Sequence, residues 1–159
     1  MSVSFDGVKY GFARSPCSPE FVAGEPHGIK IAAPSTFKLP VSGEGVPVPL
    51  CMTMQFTGLF LVRFEYVFKA VKVVLVDDEH GETFGGGVWR DRFYAPRPVP
   101  PVPPSERELE QRVVTTYNTV NLLEYFHLPR RKATYRVYAV LEEFRSNVLT
   151  VHVDTEQRE

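Results

Sequence analysis

The residues able to carry chemistry are few, and their spacing sets them apart from one another. His27, His80, His127 and His152 have no Cys or His at the intervals of a metal-ligand set. Asp77-Asp78-Glu79-His80, with Glu82 close behind, offers oxygen ligands. It lacks the alternating acids and closing Glu of a calcium loop. A solvated hairpin turn is the expected reading. Cys17 with His27 or His80 would make a thiol nucleophile and its base, but nothing in the sequence brings them together, and Cys17 lies between Pro16 and Pro19. Gly85-Gly86-Gly87 has neither the Lys-Ser/Thr sequel nor the following helix of a phosphate loop, so a glycine-rich turn or bulge is expected there. No catalytic, metal-binding or cofactor-binding residue is assigned, and no cofactor is expected.

Three other features suit binding better. Arg130-Arg131-Lys132, joined by Arg136, is the one dense basic patch. It is either a solvated turn or a contact for an acidic partner. Pro96 to Pro104 must be extended and largely polyproline II, which loses little entropy on docking and suits grooves lined by aromatics. The plainer alternative is a rigid crossover along the sheet edge. Trp89, Phe93 and Tyr94 precede it, with Trp89 expected in the core and Tyr94 exposed. The expected partner-binding residues are Tyr94, Arg97, Arg130, Arg131 and Lys132. Charge reversal at Arg130 and Arg131 is expected to weaken association without moving the melting temperature.

These side chains need a scaffold, and 159 residues suffice for one domain spanning 1–159 with the proline segment 96–104 inside it. Twelve Phe, seven Tyr and one Trp favour strands, and 14 prolines disfavour long helices. A net charge of −1 argues against non-specific nucleic-acid binding. No membrane span is expected, because the greasy stretch from Leu59 to Val76 is broken by Arg63, Glu65, Lys69 and Lys72. With no signal-peptide pattern, the chain reads as cytoplasmic, an exported mature fragment being the alternative. Cys17 and Cys51 are accordingly expected to be reduced thiols, and a single bridge would accompany export.

The clearest pattern is an alternation at even positions from Val46 through Met52, Met54 and Phe56 to Phe60, Phe64 and Phe68, interrupted by Gly58. Period two means strand, with Thr53, Gln55, Arg63 and Glu65 facing out. One straight strand would span about 75 Å at ~3.3 Å per residue, so the chain must bend or turn near Gly58. Pro47 and Pro49 suggest that this run begins on a sheet edge. Further strands are expected at Val3–Phe12, Gly28–Ala33, Thr36–Leu39, Val71–Val76 and Val113–Val120. Ser105 with Glu108 forms a capping box for a short helix over 105–111, and Asn121 caps a single turn ending near Phe126.

Leu128-Pro129, then Thr134-Tyr135, then the strand pair Tyr135–Leu141 and Val148–Val153 complete the chain. This order resembles the E–F corner and F–G hairpin of immunoglobulin-like and fibronectin-like domains. The resemblance covers roughly the last 35 residues and implies an all-β, antiparallel immunoglobulin-like sandwich with one or two short helical turns. It also implies that the hydroxyl of Tyr135 bonds back to the corner backbone. Val137 stands where antibody domains carry a disulfide Cys, which excludes that subclass. The expected function is non-catalytic recognition of another protein, in an accessory, inhibitor or immunity-type role. Two alternatives differ in class. A carbohydrate-binding sandwich needs exposed aromatics aligned on one face, and a small enzyme needs a pocket pairing His with a carboxylate.

Overall fold

A computed structural model describes residues 4–89 and 102–156. Strands β1 (Gly28–Ala32), β3 (Pro49–Thr57) and β6 (Val113–Asn121) form one antiparallel sheet in the order β1-β3-β6. The second sheet runs β2 (Thr36–Leu39), β9 (Leu149–Thr155), β7 (Ala133–Leu141), β4 (Lys72–Asp77) and β5 (Thr83–Gly87). The two-residue β8 (Phe144–Arg145) attaches to β7. β2 and β9 pair in parallel. The all-β expectation therefore holds, and the described residues add three short α-helices, α1 (Gly58–Leu61), α2 (Glu106–Gln111) and α3 (Leu122–Tyr125), and one 3-10 turn over Val67–Ala70. Ser105 caps α2 by accepting from the Glu108 N–H at 3.2 Å, and Asn121 caps α3 through the Leu123 N–H. Asn121 Oδ1 also accepts from the Val48 N–H at 3.0 Å, tying the start of α3 to the approach to β3.

The even alternation is a strand only from Pro49 to Thr57, and Val46, expected to face the core, is 77% exposed ahead of it. Val48, Leu50, Met52, Met54 and Phe56 are buried between the sheets. At Thr57 the pattern changes, because its hydroxyl accepts from the Phe60 N–H and starts α1. Val62 is then exposed, whereas the odd residues Leu61 and Val67 are buried. The spacing still brings aromatics together through turns: Phe56 stacks on Phe60 at 4.3 Å, and Phe144 meets both edge-on. Gly58 lies close against α2: a Cβ there would stand 3.2 Å from the Leu109 carbonyl oxygen, so a side chain would need the helix to give by a few tenths of an ångström. β3 is the central strand of its sheet, but β1 reaches only to Cys51, so Pro49, its first residue, is paired on the β6 side alone.

Thr53, expected to face solvent, is buried as well. The outer face of β3 is covered by residues 4–27, which do not form the strand expected over Val3–Phe12. Gly7 and Gly11 adopt positive φ and break its extension, leaving one bridge from Gly11 to Thr119. Cys17 and Cys51 form a disulfide that pins this segment to β3, correcting the expectation of reduced thiols. Phe5 and Val8 pack around it. Lys30 holds the far end, donating to the Glu20 carbonyl at 2.9 Å and lying over the Phe21 ring.

In the second sheet, Val73, Leu75, Val137, Ala139, Val151 and Val153 point into the core. The triple glycine forms the end of β5 rather than a turn. Tyr135 follows Ala133 in the buried series of β7 and is 1% exposed, but its hydroxyl has no hydrogen-bond partner. The expected bond to the corner backbone is not made. Burial, the largest influence, pushes its phenol pKa up, and the nearby Asp77 carboxylate adds to this.

Candidate functional site

The sandwich opens along the side where each sheet ends. A cleft of ≈ 270 Å³ lies between residues after β5, the C-terminal half of β6 and the N-terminal segment. Its aromatic wall is built by Tyr10, Phe12, Trp89 and Tyr125, with Phe12 5.4 Å from Trp89 between ring centroids. Tyr10 and Phe12 are about half exposed, at 49% and 42%. Burial of the Tyr10 phenol raises its pKa. Asn118 and Thr119 also line the cleft, at 2% and 1% exposure. The Asn118 amide nitrogen and the Thr119 hydroxyl are buried there without hydrogen-bond partners. Both atoms are closed off from solvent, and as neighbours on β6 their side chains point to opposite faces of the sheet, Asn118 beside the buried Met52 and Thr119 beside Cys51 under the N-terminal segment. What the cleft offers a ligand is chiefly aromatic and apolar contact area.

Two open strand edges flank it. Thr119 exchanges both backbone bonds with Gly11, at 2.9 and 2.8 Å, so its N–H and C=O point away from β3. The two-residue period of an antiparallel ladder directs the same groups of Val113, Thr115 and Tyr117 outward. On β5, Asp77 N–H donates to the Glu82 carbonyl at 2.8 Å, so Phe84 and Gly86 bond to β4 in turn. Thr83, Gly85 and Gly87 then point outward. Among the described residues, none of these outward groups on β5, nor those of Val113, Thr115 and Tyr117, is hydrogen-bonded. The edge of β1 differs. There the Asn147 side chain accepts from the Ile31 N–H at 2.8 Å and donates to its carbonyl at 3.0 Å.

The expected contact residues are dispersed. Tyr94 and Arg97 lie outside the described residues, as does residues 96–101 of the proline segment. Arg130 donates to the Pro40 and Gly43 carbonyls at 2.7 and 2.6 Å, fastening the loop after β2. Arg131 turns the other way, to Asp77 at 3.3 Å and Glu82 at 2.9 Å. Lys132 is exposed beside a separate groove that includes His152 and Asp154. Reversing the charge of Arg131 would set a carboxylate against Asp77, so its melting temperature must fall, unlike that of a Lys132 variant. Trp89, expected in the core, is half-buried and forms part of the cleft wall.

The Asp77–Glu82 segment is the expected solvated hairpin turn, exposed from Asp78 to Glu82, and it is organised around one buried carboxylate. Asp77 is fully buried. Its Oδ1 accepts the Glu79 and His80 N–H groups at 2.9 and 3.0 Å, and its Oδ2 faces His80 Nδ1 at 2.9 Å. Burial opposes ionisation, but the His80 and Glu79 backbone bonds and the His80 ring outweigh it and lower the Asp77 pKa. An Asp–His pair can serve a nucleophile. Here no Ser, Thr or Cys among the described residues bonds to His80, and neither member lines the aromatic cleft. The pair closes a hairpin. No group of three or more His, Cys, Asp or Glu among the described residues stands ready to hold a metal ion.

Sequence reasoning missed Tyr10, Phe12, Asn118, Thr119 and Tyr125 because they meet only through the fold. Comparison with protein-family models, curated proteins and solved structures finds no match to this chain.

Proposed function

We propose that this chain is a non-catalytic binding module that recognises another protein at the open side of its sandwich. The observation that carries this is the aromatic cleft, with half-exposed Tyr10 and Phe12 in its wall. The adjoining strand edges favour a polypeptide, since exposed N–H and C=O groups in a two-residue period match an extended chain. Accessory, inhibitor and immunity-type roles all use such a surface. The architecture is read as immunoglobulin-like, supported by the antiparallel β7–β9 pair and by buried Tyr135, whose unpaired hydroxyl departs from that pattern. The Cys17–Cys51 bridge favours an oxidising compartment over the cytoplasm. No helix of the described residues is long and apolar enough to cross a membrane.

Carbohydrate is the second reading, favoured by Trp89, Tyr10 and Tyr125 around side-chain amides in one cleft. The test screens the full chain against a displayed random dodecapeptide library and against a glycan array. Peptides should be enriched, and binding should fall at least severalfold in Tyr10→Ala and Phe12→Ala with the melting temperature kept. Glycan binding lost in the same variants would transfer the site to sugars. Binding of either class that ignores both variants, or no binding at all, would overturn the assignment of this cleft.

A further inference from the structure

We infer that β5 is a docking edge for an extended strand of the partner, and that its three glycines exist for that strand. This rests on the protein-binding reading above and specifies how the partner is held.

The glycines have no requirement within the described fold. None of Gly85, Gly86 and Gly87 has positive φ, in contrast to Gly7, Gly11, Gly24, Gly43 and Gly81. A Cβ on Gly85 would stand 3.5 Å from its nearest neighbour, on Gly87 3.7 Å and on Gly86 4.0 Å, all ordinary contacts. Alanine would fit at each position and hold the strand better. Glycine in a strand marks the close approach of another backbone or ligand. Among the described residues, the edge also lacks the charge or proline that often protects one. Thr83–Gly87 contains no charged residue and no proline, whereas β2 at another edge carries Lys38. β6 is open too, but Gly11 already occupies its Thr119 position.

The chemistry of the occupant follows from the same residues. Stable strand pairs rely on side chains facing across the ladder. Two copies of β5 would oppose Thr83, Gly85 and Gly87 with one another on one face and offer only Phe84 on the other, so they would gain less than a strand with large residues on both faces. A partner with aromatic or β-branched side chains fits instead, because large residues cover bare glycines on the neighbouring strand. On the inner face such a side chain opposite Gly86 lies towards the Phe126 ring, the atom nearest a Cβ at that site. Val88 carries the strand directly into the aromatic cleft. The occupant is therefore an extended segment with alternating bulky apolar residues, held by main-chain bonds to Thr83, Gly85 and Gly87 and anchored in the cleft.

The pairing direction supplies a specific test. Gly85 bonds outward, so Gly85→Pro deletes a docking donor while leaving the β4 ladder intact. Gly86 bonds inward, and Gly86→Ala keeps every backbone group. The probe is a synthetic peptide enriched from the dodecapeptide library on the wild-type chain. Gly85→Pro should weaken it roughly tenfold, the loss expected for one hydrogen bond in a pre-formed ladder, with little change in melting temperature. On the wild-type chain, the peptide should slow amide exchange at Thr83, Gly85 and Gly87 but leave Phe84 and Gly86 as they are. This measurement decides the matter even if Gly85→Pro folds poorly. Exchange unaffected at those three amides would overturn the inference. If such a peptide still requires Tyr10 and Phe12, the cleft reading survives and only strand docking fails. Concentration-dependent dimers that vanish in Gly85→Pro would also overturn it, by making a second copy the occupant.

Discussion

Removing the Cys17–Cys51 bridge tests how the outer face of the first sheet is held. The two residues are 34 apart in sequence. Closing a loop of that length removes roughly 12.6 cal/mol/K from the unfolded ensemble, or about 3.8 kcal/mol at 25 °C. For a chain of 159 residues, about 2.1 cal/mol/K per residue gives an unfolding entropy near 330 cal/mol/K, roughly. The ratio of the two predicts a fall in melting temperature of about 11 °C for Cys17→Ala/Cys51→Ala. The Gly11–Thr119 bridge and the Lys30–Glu20 bond still hold the segment, so the native fold should persist at room temperature. Calorimetry on the double variant, and on the wild type with and without a reductant, measures the shift. Both routes should agree. A shift below about 3 °C would refute the role assigned to the bridge. Two free thiols titrated in unreduced, denatured protein would refute the bridge itself. Peptide binding should weaken with reduction as well, because Tyr10 and Phe12 belong to the segment that the bridge secures.

Tyr135→Phe should leave stability unchanged or raise it by up to about 1 kcal/mol, since it deletes a buried hydroxyl that bonds to nothing. A urea melt showing a clear loss would reveal a bond made by that oxygen in solution. Asp77 should shape the acid limb of stability. Its folded pKa is below the ordinary value of 3.8, so its contribution is complete above that value and disappears as pH falls through the lower, folded one. Urea melts across a pH series should therefore show Asp77→Asn less stable near neutrality and less steep in acid, and identical acid slopes would contradict the assignment.

The fold was most legible where one physical signal dominated a segment. The even residues Val48 to Phe56 could be assigned to a buried face because every one of them is apolar, with Thr53 and Gln55 between them. The α2 and α3 turns announced themselves through Ser105 and Asn121, whose side chains satisfy the first free N–H groups. Periodicity failed after Thr57 because Phe56, Phe60 and Phe64 are spaced by four, which meets the even-residue template and a helical turn equally well. It failed again at Thr53, since alternation reports one buried face and cannot show that a loop from residues 4–27 covers the other. The disulfide was hidden for the same reason: two cysteines say nothing of their distance until that loop is in place.

The basic corner and the triple glycine exchange roles once both are seen in the fold. Arg130 and Arg131 stood out as a surface charge cluster, yet one braces the loop after β2 and the other neutralises the buried Asp77. Their charge is largely explained by what they hold in place. Gly85-Gly86-Gly87 looked like a simple turn, yet it lies in a strand where neither backbone angle nor neighbouring atoms call for glycine. Each glycine in a strand costs roughly 0.5–1 kcal/mol relative to alanine. Three together represent about 1.5–3 kcal/mol, a sizeable share of the ~5–15 kcal/mol that usually separates folded from unfolded chains. A residue whose conformation and contacts account for it needs no partner to explain it. The glycine edge lacks that internal account among the described residues, and it runs on through Val88 into the aromatic cleft. A strand that covers the glycines and reaches the cleft would supply it.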